Sequence, residues 1–250
     1  MEKRVQPHIM CGVGDVAKYV LLPGDPGRVA KIASFFDESQ IVANYRGFVT
    51  YTGRISGIDV SVCSTGIGCP SAAIVVEELS RIGAETFIRV GTTGAIQPHI
   101  DVGDVVVAAA AVRAEGTSRN YVPLEFPAVA DFSVTAALLD AAGESTQKIH
   151  FGFVLTSDAF YCNYENLNFW SKLNVLSVEM ESSVVFTIAK LKNLKAGSIL
   201  AVDGNPLLGV GKGEFEPGER TGELDVRVQN AITEETRIAL NAIKILENNG

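Results

Sequence analysis

Arg89 stands inside the apolar run Phe87-Ile88-Arg89-Val90, and a guanidinium taken out of water needs an anionic partner. The run leads into Gly91-Thr92-Thr93-Gly94, which reads as a turn rich in backbone amides and hydroxyls. Such donors beside a permanent cation suit a bound phosphate. An arginine paired with a buried carboxylate explains the same residues equally well. A second strand-to-helix turn, Gly24-Asp25-Pro26-Gly27, is followed by Arg28 and would offer amides and a charge at a helix N-terminus. It fits neither the Walker loop nor the dinucleotide fingerprint, and the tetrapeptide also makes an ordinary turn.

Val178-Glu179-Met180-Glu181-Ser182 reads as a helix start. On a helix, Glu181 would share the stripe of Val178, Val185 and Ile188 and face inward, where paired sugar hydroxyls would satisfy both of its oxygens. Glu179 better suits the place that the helix dipole favours for an acid. Phe160 and Tyr161 are either core aromatics or a stacking surface for a flat ligand. Asp203, at the end of the strand 197–202, is either a general acid or a turn-initiating residue. His8, His99 and His150 have no metal-type spacing, and no nucleophile elbow points to a hydrolase triad.

These residues need elements to hold them. Strands are expected at 18–23, within 48–64 (two, joined near Ser56-Gly57), at 86–90, 105–112 and 197–202. Helices are expected from Arg28 to Phe36 and at 71–82, 133–142, 178–192 and 225–247. Strand 59–64, helix 71–82 and strand 86–90 form a β-α-β unit, which favours a parallel pair. Segment 203–223 is too rich in glycine and proline for regular structure and reads as a lid or a surface loop. No repeat or linker divides the rest, so one domain over 1–250 is expected.

The 250 residues, 47% hydrophobic and 20% charged, supply ample core. A net charge of −8 without a basic run argues against nucleic acid as a partner. The first residues lack an apolar signal region, and no apolar run is long enough to span a bilayer. The four cysteines show no metal-type spacing. A reduced, cytoplasmic setting is the expectation.

Together these residues resemble the nucleoside phosphorylase family, which includes uridine phosphorylases and the hexameric-type purine nucleoside phosphorylases. The resemblance covers nearly the whole chain. It is densest at Gly24–Arg28, Ser64–Gly68, Phe87–His99, Glu125–Asp131 and Val178–Ser182. It implies an α/β fold: a single-domain three-layer sandwich whose central mixed, twisted sheet is flanked by helices. It implies phosphorolysis, in which phosphate attacks the anomeric carbon of a nucleoside and releases base and pentose 1-phosphate.

By the same resemblance Gly24, Arg28, Arg89 and Thr92 would hold phosphate, joined by Arg46 from an adjacent subunit. His8 would reach across that interface to the ribose 5′-hydroxyl. Met180 and Glu181 would bind the ribose, Phe160 and Tyr161 would flank base and sugar, and Asp203 and Arg89 would carry the chemistry. Phosphate would be co-substrate with no cofactor, and the assembly a homo-oligomer, a hexamer built as a trimer of dimers. Gly47 replaces a glutamate that helps bind a monovalent cation in some uridine phosphorylases, so no metal is expected there.

Two departures bear on the base. Uridine phosphorylases read uracil with a glutamine and an arginine shortly after the Phe-Tyr pair, where this chain has Tyr164 and Asn166. Val202-Asp203-Gly204-Asn205-Pro206 resembles the Val-Asp-Gly-x-Pro segment of protozoan-type purine enzymes, whose aspartate protonates purine N7. Bacterial purine enzymes carry Ser-Asp, which would put the acid at Gly204. The first half of the chain is closer to uridine phosphorylases. A purine-leaning phosphorylase is the leading expectation. A uridine phosphorylase with a rearranged base pocket, a nucleosidase and a non-catalytic nucleoside-binding protein are the alternatives.

Overall fold

The structure, a computed structural model, describes residues 4–161, 164–210 and 226–249. Along the chain come β1 (Tyr19–Leu22), α1 (Pro26–Ala33), β2 (Glu38–Tyr45), β3 (Phe48–Ile55), β4 (Ile58–Cys63), α2 (Cys69–Ser80), β5 (Thr86–Ala95) and β6 (Val105–Ala114). There follow β7 (Ala128–Val129), α3 (Phe132–Ala142), β8 (Ile149–Ser157), α4 (Tyr164–Lys172), β9 (Ser177–Glu179), α5 (Ser182–Leu191), β10 (Lys195–Gly204) and α6 (Val226–Asn248).

One mixed sheet runs in the order β10-β6-β8-β9-β5-β1-β4-β3-β2, with β7 beside β6. Because β10 also pairs with β5, the strands β5, β10, β6, β8 and β9 close on themselves as a ring. Strand alternation then makes two cores. Val20, Leu22 and Phe87 face one side with α2 and α5 residues, including Val76 and Phe186. Leu21, Ile88 and Val90 face the other with residues of α1, α3 and α6, such as Val29, Leu138 and Ile243. The architecture is therefore α/β in three layers, as the resemblance implied.

Several local readings need correction. Gly91-Thr92-Thr93-Gly94 is strand, not turn: β5 continues because β10 supplies a parallel ladder from Lys195 opposite Thr86 to Gly204 opposite Gly94. Val178 and Glu179 also lie in a strand, β9, held by β5 and β8; α5 starts at Ser182 with Glu181 at its N-cap position. Strands β4 and β5 are parallel but not adjacent, since β1 pairs with both and sits between them. β2, β8 and α4 have no counterpart in the sequence reading. β2 is mostly exposed and β8 only partly buried, so neither shows a continuous apolar run.

Candidate active site

The carboxyl ends of the mutually parallel strands β1, β4, β5 and β10 place their loops on one edge, where α/β sheets present ligand sites. Pro23 accepts a backbone bond from Thr65 at 2.8 Å, tying the loop after β1 to that after β4. Gly24 lies against Gly66, whose carbonyl oxygen is 3.3 Å from where a Cβ on Gly24 would stand. Gly68, at φ 88°, turns the chain into α2 and donates its N–H to Glu181 Oε1 at 2.6 Å.

Arg89 is 4% exposed. Its Nε donates to Glu179 Oε2 at 2.8 Å and its Nη2 pairs with Glu181 Oε2, while Nη1 is buried without a protein partner. Gly91 makes room for the folded guanidinium: a Cβ there would stand 2.9 Å from Nη2. Burial alone would lower the Arg89 guanidinium, but Glu181 and Glu179 outweigh it and hold it above its ordinary value. Burial pushes the Glu181 carboxyl up, with Arg89 opposing.

Glu179 does more than pair. Its oxygens also accept from Thr156 Oγ1 at 2.6 Å and from the backbone N–H groups of Glu181 and Ser182, so from β9 it caps α5. The dipole-favoured role assigned to Glu179 is met, though from a strand. The stripe argument for Glu181 fails, since it precedes the helix. It is buried because Arg89 and Gly68 hold it.

Arg28 is held likewise. Its Nη2 pairs with Glu235 of α6, and its Nε is buried without a protein partner. The amides expected to face an anion are partly engaged: Asp25 caps α1, its side chain taking the Gly27 N–H at 2.8 Å, and its carbonyl takes that of Arg28. Glu235 and Arg89 influence each other electrostatically, which places the two guanidinium groups in one charged cluster. Thr92 is partly buried on β5. Asp203 is 7% exposed at the end of β10, where the ladder with β5 is bulged between Val202 and Gly204. Met180 accepts from Cys69 Sγ at 3.2 Å through its carbonyl.

The remaining candidates are exposed or half-buried. Arg46 is exposed at the β2–β3 turn with φ 54°. His8 is anchored through Nδ1 to the buried Glu78 at 2.5 Å, and Glu78 also accepts the backbone N–H groups of His8 and Ile9. Phe160 and Tyr161 are 56% and 97% exposed and meet edge to face at 5.1 Å, so the core reading of this pair fails. Asn166 is exposed on α4. Residues 211–223 of the expected lid, and Cys162, lie outside the described residues.

Sequence reasoning missed Glu235. Its signal was available: an acid within the otherwise apolar stripe Val228, Ala231, Ile238, Ala242. Among the described residues one trio, Cys69, Glu115 and Asp158, brings possible metal-ligand atoms within 4.8 Å of one another. Glu115 is already engaged by Ser118 and Ser183, and burial drives the Cys69 thiol far above its ordinary range, disfavouring the thiolate a metal would need. A cavity of about 440 Å³ bordered by Arg113, Leu124, Phe126 and Trp170 shares no residue with the charged cluster. No described helix is long and apolar enough to cross a membrane.

A three-layer α/β sheet whose strand β5 and flanking helices bring two arginines against three glutamates is the class of architecture the chain presents. The chain belongs to the phosphorylase superfamily, whose family model matches residues 18–243. It is 45% identical over 242 residues to the guanosine phosphorylase of Halorubrum lacusprofundi, covering 96% of this chain and 99% of that protein. It is 48% identical over 218 residues to the uridine phosphorylase of Thermococcus kodakarensis, covering 82% and 79%. Among solved structures, the purine nucleoside phosphorylase of Toxoplasma gondii bound to immucillin-H superposes with a TM-score of 0.90 at 33% identity, covering 100% and 99%. The uridine phosphorylase of Vibrio fischeri gives 0.85 at 34%, covering 98% and 97%.

Proposed function

We propose that this nucleoside phosphorylase cleaves purine ribonucleosides with phosphate, giving free base and ribose 1-phosphate. The observation that carries the reading is the pair of orphaned buried donors, Arg28 Nε and Arg89 Nη1, on two guanidinium groups already fixed by glutamates. A phosphate oxygen is the acceptor such donors suit. In this reading Glu181, beside Arg89, accepts from ribose hydroxyls, and Phe160 and Tyr161 offer rings for base and sugar. The leaving base takes its proton from Asp203. Phosphate held against the anomeric carbon stabilises the positive charge that develops on the ribose.

Relatives named for guanosine and for uridine match this chain comparably, so the base preference rests on Asp203 and on Tyr164 and Asn166 standing where a uracil-reading pair would. The uridine reading is favoured by the several uridine phosphorylases among the relatives. A phosphate-dependent panel of inosine, guanosine, adenosine and uridine separates the two. Preference for a purine is expected, and a dominant uridine rate would sink the purine reading. Asp203→Asn should lower purine nucleoside turnover by on the order of 10²-fold.

Five ionisable groups stand in the cluster, the guanidinium groups of Arg28 and Arg89 against the carboxyls of Glu179, Glu181 and Glu235, and when all are ionised the acids are in excess. With one more acid than base, the cluster is poorly suited to hold a phosphate dianion unaided. This supports the reading in which Arg46 enters from a neighbouring subunit, with His8 reaching the same way, and the active form is a homo-oligomer assembled as a hexamer of three dimers. No cofactor is required beyond phosphate, and the setting is cytoplasmic.

A further inference from the structure

Glu235 is fully buried on α6, and a carboxylate in that position is tolerated only if both oxygens meet donors. Both do. Oε1 takes Arg28 Nη2 from α1, and Oε2 takes the backbone N–H of Ala201 in β10 at 2.9 Å. The second bond fixes the carboxylate against the strand that carries Asp203 two residues later. The first leaves Arg28 Nε, itself buried, without a protein partner. Arg89 of β5 is the other cation that acts on Glu235, and Asp140, the one ionisable residue of α3, is exposed.

We propose that Glu235 is a positioning residue of the phosphate site: it holds Arg28 in the attitude that presents its remaining N–H groups to phosphate. It thereby sets phosphate affinity rather than the rate of bond cleavage. This rests on the reading of Arg28 as a phosphate ligand. The working form is the anion, because the two groups bonded to the carboxylate are both donors and a proton on it would face an N–H. Burial pushes that carboxyl up to about 7, with Arg28 opposing, so the hold on Arg28 is released as the pH falls through neutrality.

Steady-state kinetics test this. Glu235→Gln keeps the size but removes one acceptor, leaving either Arg28 or the Ala201 amide against a donor. Phosphate KM should rise on the order of tenfold or more, with kcat at saturating phosphate within about threefold and nucleoside KM unchanged. Glu235→Asp keeps the charge but shortens the reach to Arg28, and should also raise phosphate KM. In the wild type, kcat/KM for phosphate should fall on the acid side with two ionisations, one from phosphate and one from Glu235; Glu235→Gln should retain only the first. An unchanged phosphate KM in both variants, or a loss confined to kcat, overturns the proposal. If neither variant folds, the wild-type profile decides, and a single ionisation overturns it. Arg28→Ala separates the two ideas. If it leaves phosphate KM unchanged, the phosphate reading of Arg28 itself fails. If it raises phosphate KM while neither Glu235 variant does, only the role of Glu235 falls.

Discussion

Arg89 and Arg46 are both candidate phosphate ligands, yet the protein treats them oppositely. Arg89 is buried, folded over Gly91 and held by two glutamates, whereas Arg46 stands exposed on a hairpin turn. The difference divides the candidates into a centre fixed by buried partners and a rim of surface residues. A preorganised centre holds charge where the transition state needs it, at the price of buried ion pairs. An exposed rim arginine gains little until something desolvates it.

The contrast can be broken at its strongest point first. Arg89→Gln should reduce kcat/KM for phosphorolysis by on the order of 10²–10³, and should also lower the melting temperature because Glu179 and Glu181 lose their buried partner. A full loss of activity at an unchanged Tm would separate catalysis from structure. Full activity would remove Arg89 from the site. Arg46→Ala should leave Tm unchanged and raise phosphate KM by on the order of tenfold. Mixing Arg46→Ala and Arg89→Gln subunits sharpens this. If Arg46 serves a neighbour's site, mixed oligomers contain sites with the wild-type phosphate KM, which neither variant shows alone, and the absence of such sites confines Arg46 to its own subunit.

The sequence made the centre visible as residue types but not as geometry. Arg89 in an apolar strand was a signal of a buried partner, and the carboxylate reading is what the structure shows, with Nη1 left over as the donor on which the phosphate proposal rests. Glu181 was recognised as inward-facing for a wrong reason, because the short strand β9 has only three residues and shows no alternation to read. The insertion of β1 between β4 and β5 could not be seen, since adjacency in a parallel sheet is decided by packing far along the chain. The exposed candidates were named chiefly through resemblance, because exposed residues leave no imprint on hydrophobic pattern.

Smaller effects test the rim and the far side of the centre. Phe160→Ala and Tyr161→Ala should each raise nucleoside KM by a few-fold without changing phosphate KM, since exposed rings gain only about 1 kcal/mol from stacking. A change in phosphate KM instead would place these rings elsewhere. The smallest effect is on stability. The Glu235 carboxyl is raised in the folded state, so its contribution is fullest below about pH 4.5 and is lost as the pH rises through about 7. Thermal melts across that window should show a decline of Tm in the wild type that is shallower in Glu235→Gln. An equal slope in both would assign the decline to other groups. The form that orients Arg28 is thus the form the fold tolerates least, a common tension between activity and stability.

The Arg28–Glu235 contact joins positions separated by 207 residues, and β10 completes the ring only once residues 195–204 are present. Such long-range closure is slow to find, because distant segments must be ordered before their contacts reward them. A chain emerging from the ribosome can form the β1–α1 turn early, yet Arg28 has no buried counter-ion until α6 docks. Refolding should therefore restore helical signal before activity, with the last helix acting as the step that commits the enzyme to a working shape.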